Sequence, residues 1–164
     1  MKQPRTLEEL CSQRIAIIDG AMGTMLQRES LTEEDYRGER FKDATKLFKG
    51  NSDLLVLTRP DIVEKIHRAY LDAGADLIET NTFSAQAISQ ADYGLEDLSY
   101  ELNFEGAKRV RAAIDGYLAD GGQGPKFVAG SIGPMNRTSS MSRDVDNPGA
   151  RDVTFNDVKM AYRD

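Results

Sequence analysis

Three short apolar runs, each followed at once by polar or glycine residues, constrain the fold of this 164-residue chain more than any other feature. The runs cover residues 15–18, 76–78 and 127–132. Runs without polar alternation are typical of strands buried on both faces, as in a parallel sheet covered by helices. Helical patterns separate the runs, as crossovers between parallel strands require. This order of elements predicts an α/β domain.

The helical patterns have recognisable ends. Pro60 suits the first turn of a helix whose apolar stripe continues to a stop signal at Gly74. A longer pattern of apolar residues over 95–114 predicts a second helix. Thr6 followed by Glu9 resembles a capping box, so we expect a short helix before the first strand.

The last part of the chain predicts a loop and then a further helix. Residues 137–153 have no periodicity and are rich in Ser, Asp, Asn, Pro and Gly, so we expect a long loop, which in compact domains is usually functional or mobile. Thr154 is placed to cap a helix whose inner face begins with Val158 and Tyr162.

The number of strand signals bears on the architecture. A (β/α)₈ TIM barrel needs eight strands and about 250 residues. Three strand signals therefore predict an incomplete TIM barrel, with about the first three strand–helix units. We expect residues 1–13 to form a helical extension and residues 14–164 to form the first part of the barrel.

Composition excludes several classes of partner. Asp and Glu outnumber Lys and Arg by 27 to 21, giving a net charge of −6, whereas nucleic-acid binders gather positive charge. No apolar stretch approaches the roughly 18 residues that span a bilayer, so we expect no membrane partner. The N-terminus lacks the apolar region of a signal peptide. The single cysteine, Cys11, favours a reducing, cytoplasmic setting; we expect it to pack in the N-terminal helix, because one thiol makes no zinc site.

The first candidate site follows the first run. Asp19 is followed by Gly20, Ala21, Met22 and a second glycine, so the backbone can approach a ligand and direct N–H groups at a carboxylate. The Asp19 carboxylate is suited to an ammonium group, and the two features together suit an amino acid. A tight turn in which Asp19 caps the next helix accounts for the same pattern.

The second candidate site follows the second run. Glu79 is costly to bury unless it is paired, so we expect its carboxylate to face a cleft. Asn81 and Thr82 follow it and are placed either to line the same cleft or to cap a helix. Both interpretations remain open on the residues alone.

Two further polar residues have structural interpretations. Arg137, after the third run, is placed to contact a carboxylate or, as we favour, to order the long loop. We interpret His67 as a surface or second-layer histidine, because it has no Glu-x-x-His neighbour and falls on the polar side of its helix.

Several segments, taken in order, resemble the homocysteine S-methyltransferase superfamily. They are DGAMGT at 19–24, AGADLIETNTF at 73–83 and AGSIGP at 129–134. Other segments resemble its cobalamin-dependent methionine synthase branch. They are RGERF at 37–41, GNSDLL at 50–55, ADYG at 91–94, NRT at 136–138 and TF at 154–155.

This resemblance implies a (β/α)₈ barrel that binds homocysteine and a zinc ion held by three cysteine thiolates. It places the zinc cysteines beyond Asp164, so we expect no catalytic and no metal-binding residue here and no activity from this chain alone. The implied partners are homocysteine and the cobalamin and methyltetrahydrofolate modules of a larger enzyme.

The resemblance also implies a chemistry. Zinc would deprotonate the homocysteine thiol, and the thiolate would take a methyl group from methylcobalamin, which methyltetrahydrofolate recharges, to give methionine. Asp19 and the backbone of Gly20, Ala21 and Met22 would orient the amino-acid end of homocysteine. Glu79, Asn81 and Thr82 would line the same mouth.

Three alternatives remain. The chain is similar enough to other members of the superfamily that the methyl donor could instead be betaine, S-methylmethionine or S-adenosylmethionine. It could also be a non-catalytic binding or interaction fragment, for which an open strand edge is suited. An unrelated phosphate-binding α/β enzyme is disfavoured by the absence of a Gly-x-Gly-x-x-Gly or P-loop pattern.

Overall fold

The computed structural model describes residues 4–142 and 144–163, so residues 1–3 of the predicted extension and Arg143 of the predicted loop lie outside the described part. The α-helices are α1 (Leu7–Gln13), α2 (Met22–Arg28), α3 (Glu33–Arg37), α4 (Leu55–Thr58), α5 (Pro60–Asp72), α6 (Ala87–Gln90), α7 (Ser99–Ala119) and α8 (Phe155–Ala161). The strands are β1 (Leu77–Glu79) and β2 (Phe127–Ala129). Short 3₁₀ turns cover Ser52–Leu54, Ala91–Tyr93 and Glu96–Leu98.

The two strands form a parallel pair in which Leu77 lies opposite Phe127 and Glu79 opposite Ala129. On the other side of β1, Ile18 forms a single parallel bridge with Leu77. The three apolar runs therefore lie side by side in chain order, and helices separate them in the sequence. This arrangement confirms the predicted α/β class and its parallel pairing.

The first apolar run differs from the prediction of a buried strand. Only Ile18 makes a bridge, and Ile15, Ile17 and Ile18 are 88%, 55% and 53% exposed. The run touches the sheet along β1, where the amides of Asp76 and Leu77 donate to the Ile17 carbonyl at 2.7 and 3.1 Å. An apolar run is buried on both faces only when other elements pack against both of them. Among the described residues, this run has a neighbour along β1 and remains largely exposed elsewhere.

An ion pair anchors this run to the sheet. The Arg14 guanidinium donates two hydrogen bonds of 2.6 Å to the carboxylate of Asp76, which also accepts the Ile17 amide at 3.0 Å. Asp76 is almost fully buried, and the Lys126 ammonium lies 3.8 Å from it. The Arg14 hydrogen bond, followed by that of Ile17, lowers the pKa of Asp76 despite its burial. The two charges thus fix where the first run lies against β1.

Helices α5 and α7 cover the sheet. Pro60 occupies the first turn of α5, as predicted, and the stripe of Ile62, Val63 and Ile66 is buried. The long helix is confirmed as well, although it starts at Ser99, so that the first apolar residues of its pattern fall in the preceding turn.

The surface assignment of His67 is wrong. Its side chain is fully buried, and neither ring nitrogen has a hydrogen-bond partner among the residues that the structure describes. His67 lies four residues after Val63 and four before Leu71, both fully buried, so it shares their stripe. Burial lowers its pKa to about 4, which keeps the ring neutral at physiological pH.

The terminal helices are confirmed and one packing expectation is not. Thr6 caps α1 by accepting the Glu9 amide at 3.1 Å, and Thr154 caps α8 in a full capping box with Asp157. Cys11, however, is exposed on α1, so the expectation that it packs inside is wrong. Within the described residues, no helix is both long and apolar enough to cross a membrane.

Candidate functional site

A cleft of about 660 Å³ opens at the carboxyl ends of the first run and β1. This is the edge at which parallel α/β sheets bind ligands. Its lining combines backbone and polar side chains from the following residues: Asp19, Gly20, Ala21, Met22, Gly23, Gly50, Asn51, Ser52, Asp53, Glu79, Thr80, Asn81, Phe83, Ser84, Ser89, Gln90, Asp92, Tyr93, Ser131 and Asn136.

Asp19 and Glu79 meet in this cleft, as their positions after adjacent runs predict. The Glu79 amide donates to Asp19 Oδ2 at 3.1 Å, and the Asp19 amide donates to the Leu77 carbonyl at 3.0 Å. Both hydrogen bonds tie the end of the first run to β1. The carboxylates of Asp19 and Glu79 therefore share one wall of the cleft.

The second oxygen of Asp19 is the most unusual polar atom of this wall. Asp19 Oδ1 is buried and has no hydrogen-bond partner among the described residues. Burial, opposed by the Glu79 amide, raises the pKa of Asp19 to about 6. Because Asp19 lines the cleft, its carboxylate is suited to a ligand's ammonium group, which carries three donors.

Gly20, Ala21 and Met22 form the floor beside Asp19. Ala21 is the N-cap of α2, has extended backbone geometry and makes no side-chain cap hydrogen bond. The first N–H groups of a helix have no intrahelical acceptor, so amides at this turn are available to a ligand in the cleft. Met22 also packs against the hydrophobic core, which anchors the turn.

Asn81 and Thr82 diverge after β1. Asn81 lines the cleft, is 7% exposed, and donates from Nδ2 to the Ser52 carbonyl at 2.7 Å. Thr82 lies outside the lining of this cleft and lines a second cavity of about 250 Å³. The geometry thus departs from the expectation that Thr82 lines the mouth.

Thr82 instead joins the ends of the two strands. Its hydroxyl lies 2.6 Å from that of Thr80 and 3.1 Å from the Ser131 carbonyl, while the Ser131 amide donates to Thr80 at 2.9 Å. This chain of bonds keeps the loops after β1 and β2 together, so Thr82 supports the cleft from behind.

Three buried residues of the cleft were not among the sequence predictions. Asp53 accepts the Ser84 amide at 2.9 Å, and burial raises its pKa to about 6. Asn51 and Gln90 exchange amide hydrogen bonds of 2.8 and 3.3 Å. For Asn51 and Asp53 the available signal was the segment GNSDLL at 50–55, which carries three consecutive polar side chains just before an apolar helix.

The long loop is fastened at the cleft. Asp92 accepts hydrogen bonds from Asn136 Nδ2 at 2.6 Å and from the Arg137 guanidinium at 2.9 Å. Arg137 therefore orders the loop, as predicted from its position. Since Asn136 and Asp92 both line the cleft, the start of the loop forms part of its rim.

The charge of the cleft is one-sided. Its lining contains the carboxylates of Asp19, Asp53, Glu79 and Asp92, and no Lys, Arg or His side chain among the described residues lines it. Such a cleft favours a ligand that carries a positive group. Backbone N–H groups at the α2 turn, together with neutral donors such as Ser52 and Asn136, are suited to an anionic group, so a zwitterionic ligand matches the cleft.

A zinc ion does not fit the described residues. They contain no cluster of three or more His, Cys, Asp or Glu side chains arranged to hold a metal. No thiol or imidazole lines the cleft, and Cys11 lies exposed on α1. The chemistry that the described residues can perform is therefore the binding and orientation of a substrate.

Comparison with known proteins identifies the family. The chain belongs to the homocysteine S-methyltransferase family, whose sequence model matches residues 16–164. This result confirms the resemblance of the sequence motifs to the homocysteine S-methyltransferase superfamily.

Solved structures of the homocysteine methyltransferase MmuM from Escherichia coli are similar to this chain. The metallated form is 28% identical with a TM-score of 0.62, covering 78% of this chain and 41% of that chain. The oxidized form is 29% identical with a TM-score of 0.63, covering 78% and 40%. The chain thus spans about two fifths of the length of these enzymes.

Proposed function

We propose that this chain supplies the substrate-recognition part of a homocysteine S-methyltransferase and that its cleft binds the amino-acid end of homocysteine. The observation that carries the proposal is Asp19: a carboxylate oxygen without a described partner, beside the α2 turn, in a cleft with no basic side chain in its described lining. The family match supports the substrate.

The residues have distinct roles in this proposal. Asp19 accepts hydrogen bonds from the homocysteine ammonium, and Glu79 adds negative charge to the same wall. The amides of Gly20, Ala21 and Met22 donate to the homocysteine carboxylate. Held at both ends, the amino acid directs its side chain and sulfur away from the α2 turn, so orientation is the contribution of these residues to methyl transfer.

We further propose that the methyl donor is methylcobalamin, recharged by methyltetrahydrofolate, and that zinc activates the sulfur from residues outside the described chain. The segments at 37–41, 50–55 and 136–138, which resemble the cobalamin-dependent branch, support this donor. The similarity to MmuM supports a homocysteine methyltransferase without indicating cobalamin. The onium donors, namely betaine, S-methylmethionine and S-adenosylmethionine, therefore remain the alternative to test.

The proposed architecture is the first part of a (β/α)₈ barrel, with residues 1–13 as an extension. The parallel order of the first run, β1 and β2 supports it, because neighbouring barrel strands follow one another in the chain. The exposed side chains of Ile15, Ile17 and Ile132 support it as well, since apolar residues at open sheet edges suit burial by further strands.

The deciding experiment measures methionine formed from L-homocysteine by the complete gene product, with methylcobalamin, S-methylmethionine, betaine or S-adenosylmethionine as donor. Turnover with methylcobalamin alone is the expected result. Turnover with an onium donor would replace the cobalamin proposal and leave the homocysteine proposal standing. Failure with every donor, together with no homocysteine binding by calorimetry, would remove both.

A further inference from the structure

Two consecutive residues hold the loop that follows β1. Asp53, which is 6% exposed, accepts the Ser84 amide through Oδ1 at 2.9 Å. The carbonyl of Ser52 accepts the Asn81 side-chain amide at 2.7 Å. The loop at 81–84 is therefore fastened at both ends to one short turn.

Gln90 fastens the same loop from the other side. Its side-chain amide donates to the Ser84 carbonyl at 3.0 Å and to Asn51 at 3.3 Å, while Asn51 donates back at 2.8 Å. Asn51 and Gln90 are only 2% and 1% exposed. Without water to replace a broken bond, each of these hydrogen bonds resists opening more than it would at the surface.

Burying a carboxylate at position 53 costs folding free energy. No Lys, Arg or His among the described residues forms an ion pair with it, and a buried carboxylate without a cation is costly. What Asp53 supplies is a buried acceptor oxygen for the Ser84 amide, which would otherwise lose its hydrogen bond. The bond matters because the loop it holds presents Asn81 and Phe83 to the cleft.

We propose that Asp53 is a positioning residue for the substrate cleft, acting through the Ser84 amide to fix Asn81 and Phe83 where the bound amino acid meets them. This inference rests on the proposed function. It requires an acceptor oxygen at position 53, so asparagine can substitute for the aspartate and alanine cannot.

The test compares Asp53→Ala, Asp53→Asn and the exposed control Asp97→Ala in the complete gene product. We expect the alanine variant to bind L-homocysteine about 10-fold or more weakly, because the buried Ser84 amide loses its acceptor. Its KM for homocysteine rises while kcat at saturation changes little. The asparagine variant stays within about threefold of the parent, because it keeps an acceptor for Ser84.

Hydrogen exchange at 81–86 supplies a second readout. The amides of this segment exchange faster in Asp53→Ala than in Asp53→Asn, and Asp97→Ala leaves them unchanged. Should Asp53→Ala fail to fold, Asp53→Ser serves instead, since its shorter side chain does not reach the Ser84 amide.

Two results would overturn the inference. One is parent-like homocysteine affinity in Asp53→Ala despite fast exchange at Ser84. The other is weak binding by Asp53→Asn with Ser84 still protected, which would mean that the charge itself contacts the substrate. If the parent protein binds no homocysteine, the proposed function fails, whereas the exchange data still decide whether Asp53 holds the loop.

Discussion

Gly106 of α7 lies so close to Thr82 that a Cβ at position 106 would come within 2.5 Å of the Thr82 methyl carbon. The helix and the loop behind the cleft are therefore in direct backbone-to-side-chain contact. Because Thr82 is bonded to Thr80 and Ser131, the spacing at Gly106 helps to set how the ends of β1 and β2 meet.

Gly106→Ala tests this contact. In an open helix position, alanine stabilises relative to glycine by about 0.5–1 kcal/mol. Here we expect the opposite sign, a destabilisation of about 1–3 kcal/mol from overpacking against Thr82. The control is Gly116→Ala in the same helix, where nothing lies within 4 Å of an added Cβ. Equal thermal shifts for the two variants would contradict the contact.

Asp19→Asn is expected to separate stability from binding. Because burial raises the pKa of Asp19 to about 6, its contribution to stability is fully present below the ordinary carboxyl pKa and is lost as pH rises through 6. Above pH 7 the neutral asparagine should therefore raise the melting temperature, yet bind homocysteine about 10-fold or more weakly because the charge is gone. Melting curves and calorimetry at pH 7.5 check both, with Asp97→Asn as control. A variant with parent affinity would remove Asp19 from the ammonium site.

His67→Leu is expected to remove an acid-sensitive contribution. The folded pKa of about 4 lies below the unfolded value near 6.5, so this group's stability is full above pH 6.5 and falls as pH decreases toward 4. Relative to the parent, the leucine variant should gain about 2 kcal/mol on going from pH 7 to pH 5. Urea unfolding at the two pH values measures the difference. A gap that stays constant would show that His67 is not buried as described.

Arg14→Gln is expected to weaken the anchor of the first run. The pKa of Asp76 is lowered, so the stabilisation from its ionised form is present above the ordinary carboxyl pKa near 3.9 and is lost as pH falls below it. The variant should melt at a lower temperature at pH 7, and the gap to the parent should close in acid below about pH 4. Arg111→Gln, an exposed change on α7, is the control. An unchanged melting temperature at pH 7 would mean that the ion pair contributes nothing.

The 164-residue chain alone is expected to bind homocysteine with a Kd no tighter than about 1 mM. The described residues offer the amino-acid end of the ligand a carboxylate and backbone amides, but no thiolate or imidazole cluster for the sulfur. Calorimetry with and without zinc makes the measurement. Micromolar binding that is independent of zinc would show that the cleft is sufficient by itself.

The sequence predicted the parts of the site that depend on chain order. Asp19 and Glu79 follow adjacent parallel runs, and such ends meet at one edge of a sheet, so their proximity could be inferred from spacing. Arg137 could be assigned to the loop for the same reason. The caps at Thr6 and Thr154 depend only on local residues and were equally accessible.

The remaining features depend on packing between distant segments. Asp53 and Gln90 are polar residues on short helical turns, and only the tertiary fold shows that they face the cleft. His67 was wrongly assigned to the surface because its polar side chain suggested exposure. The sequence does not show that other elements pack over this face of α5. The first run had the opposite outcome: it was predicted to be buried and is largely exposed. Its apolar side chains do not show how many strands pack beside it.

The pairing of β1 has a consequence for the order of events during folding. Leu77 bridges Ile18 on one side and Phe127 on the other, so every described sheet contact joins residues about 50 to 60 positions apart. No hairpin can nucleate this sheet. We therefore expect the helices to form before the strands pair, and we predict slow folding for a domain of this size. We expect the incompletely folded chain to be prone to aggregation during that interval, so synthesis at low temperature should improve the yield of native protein.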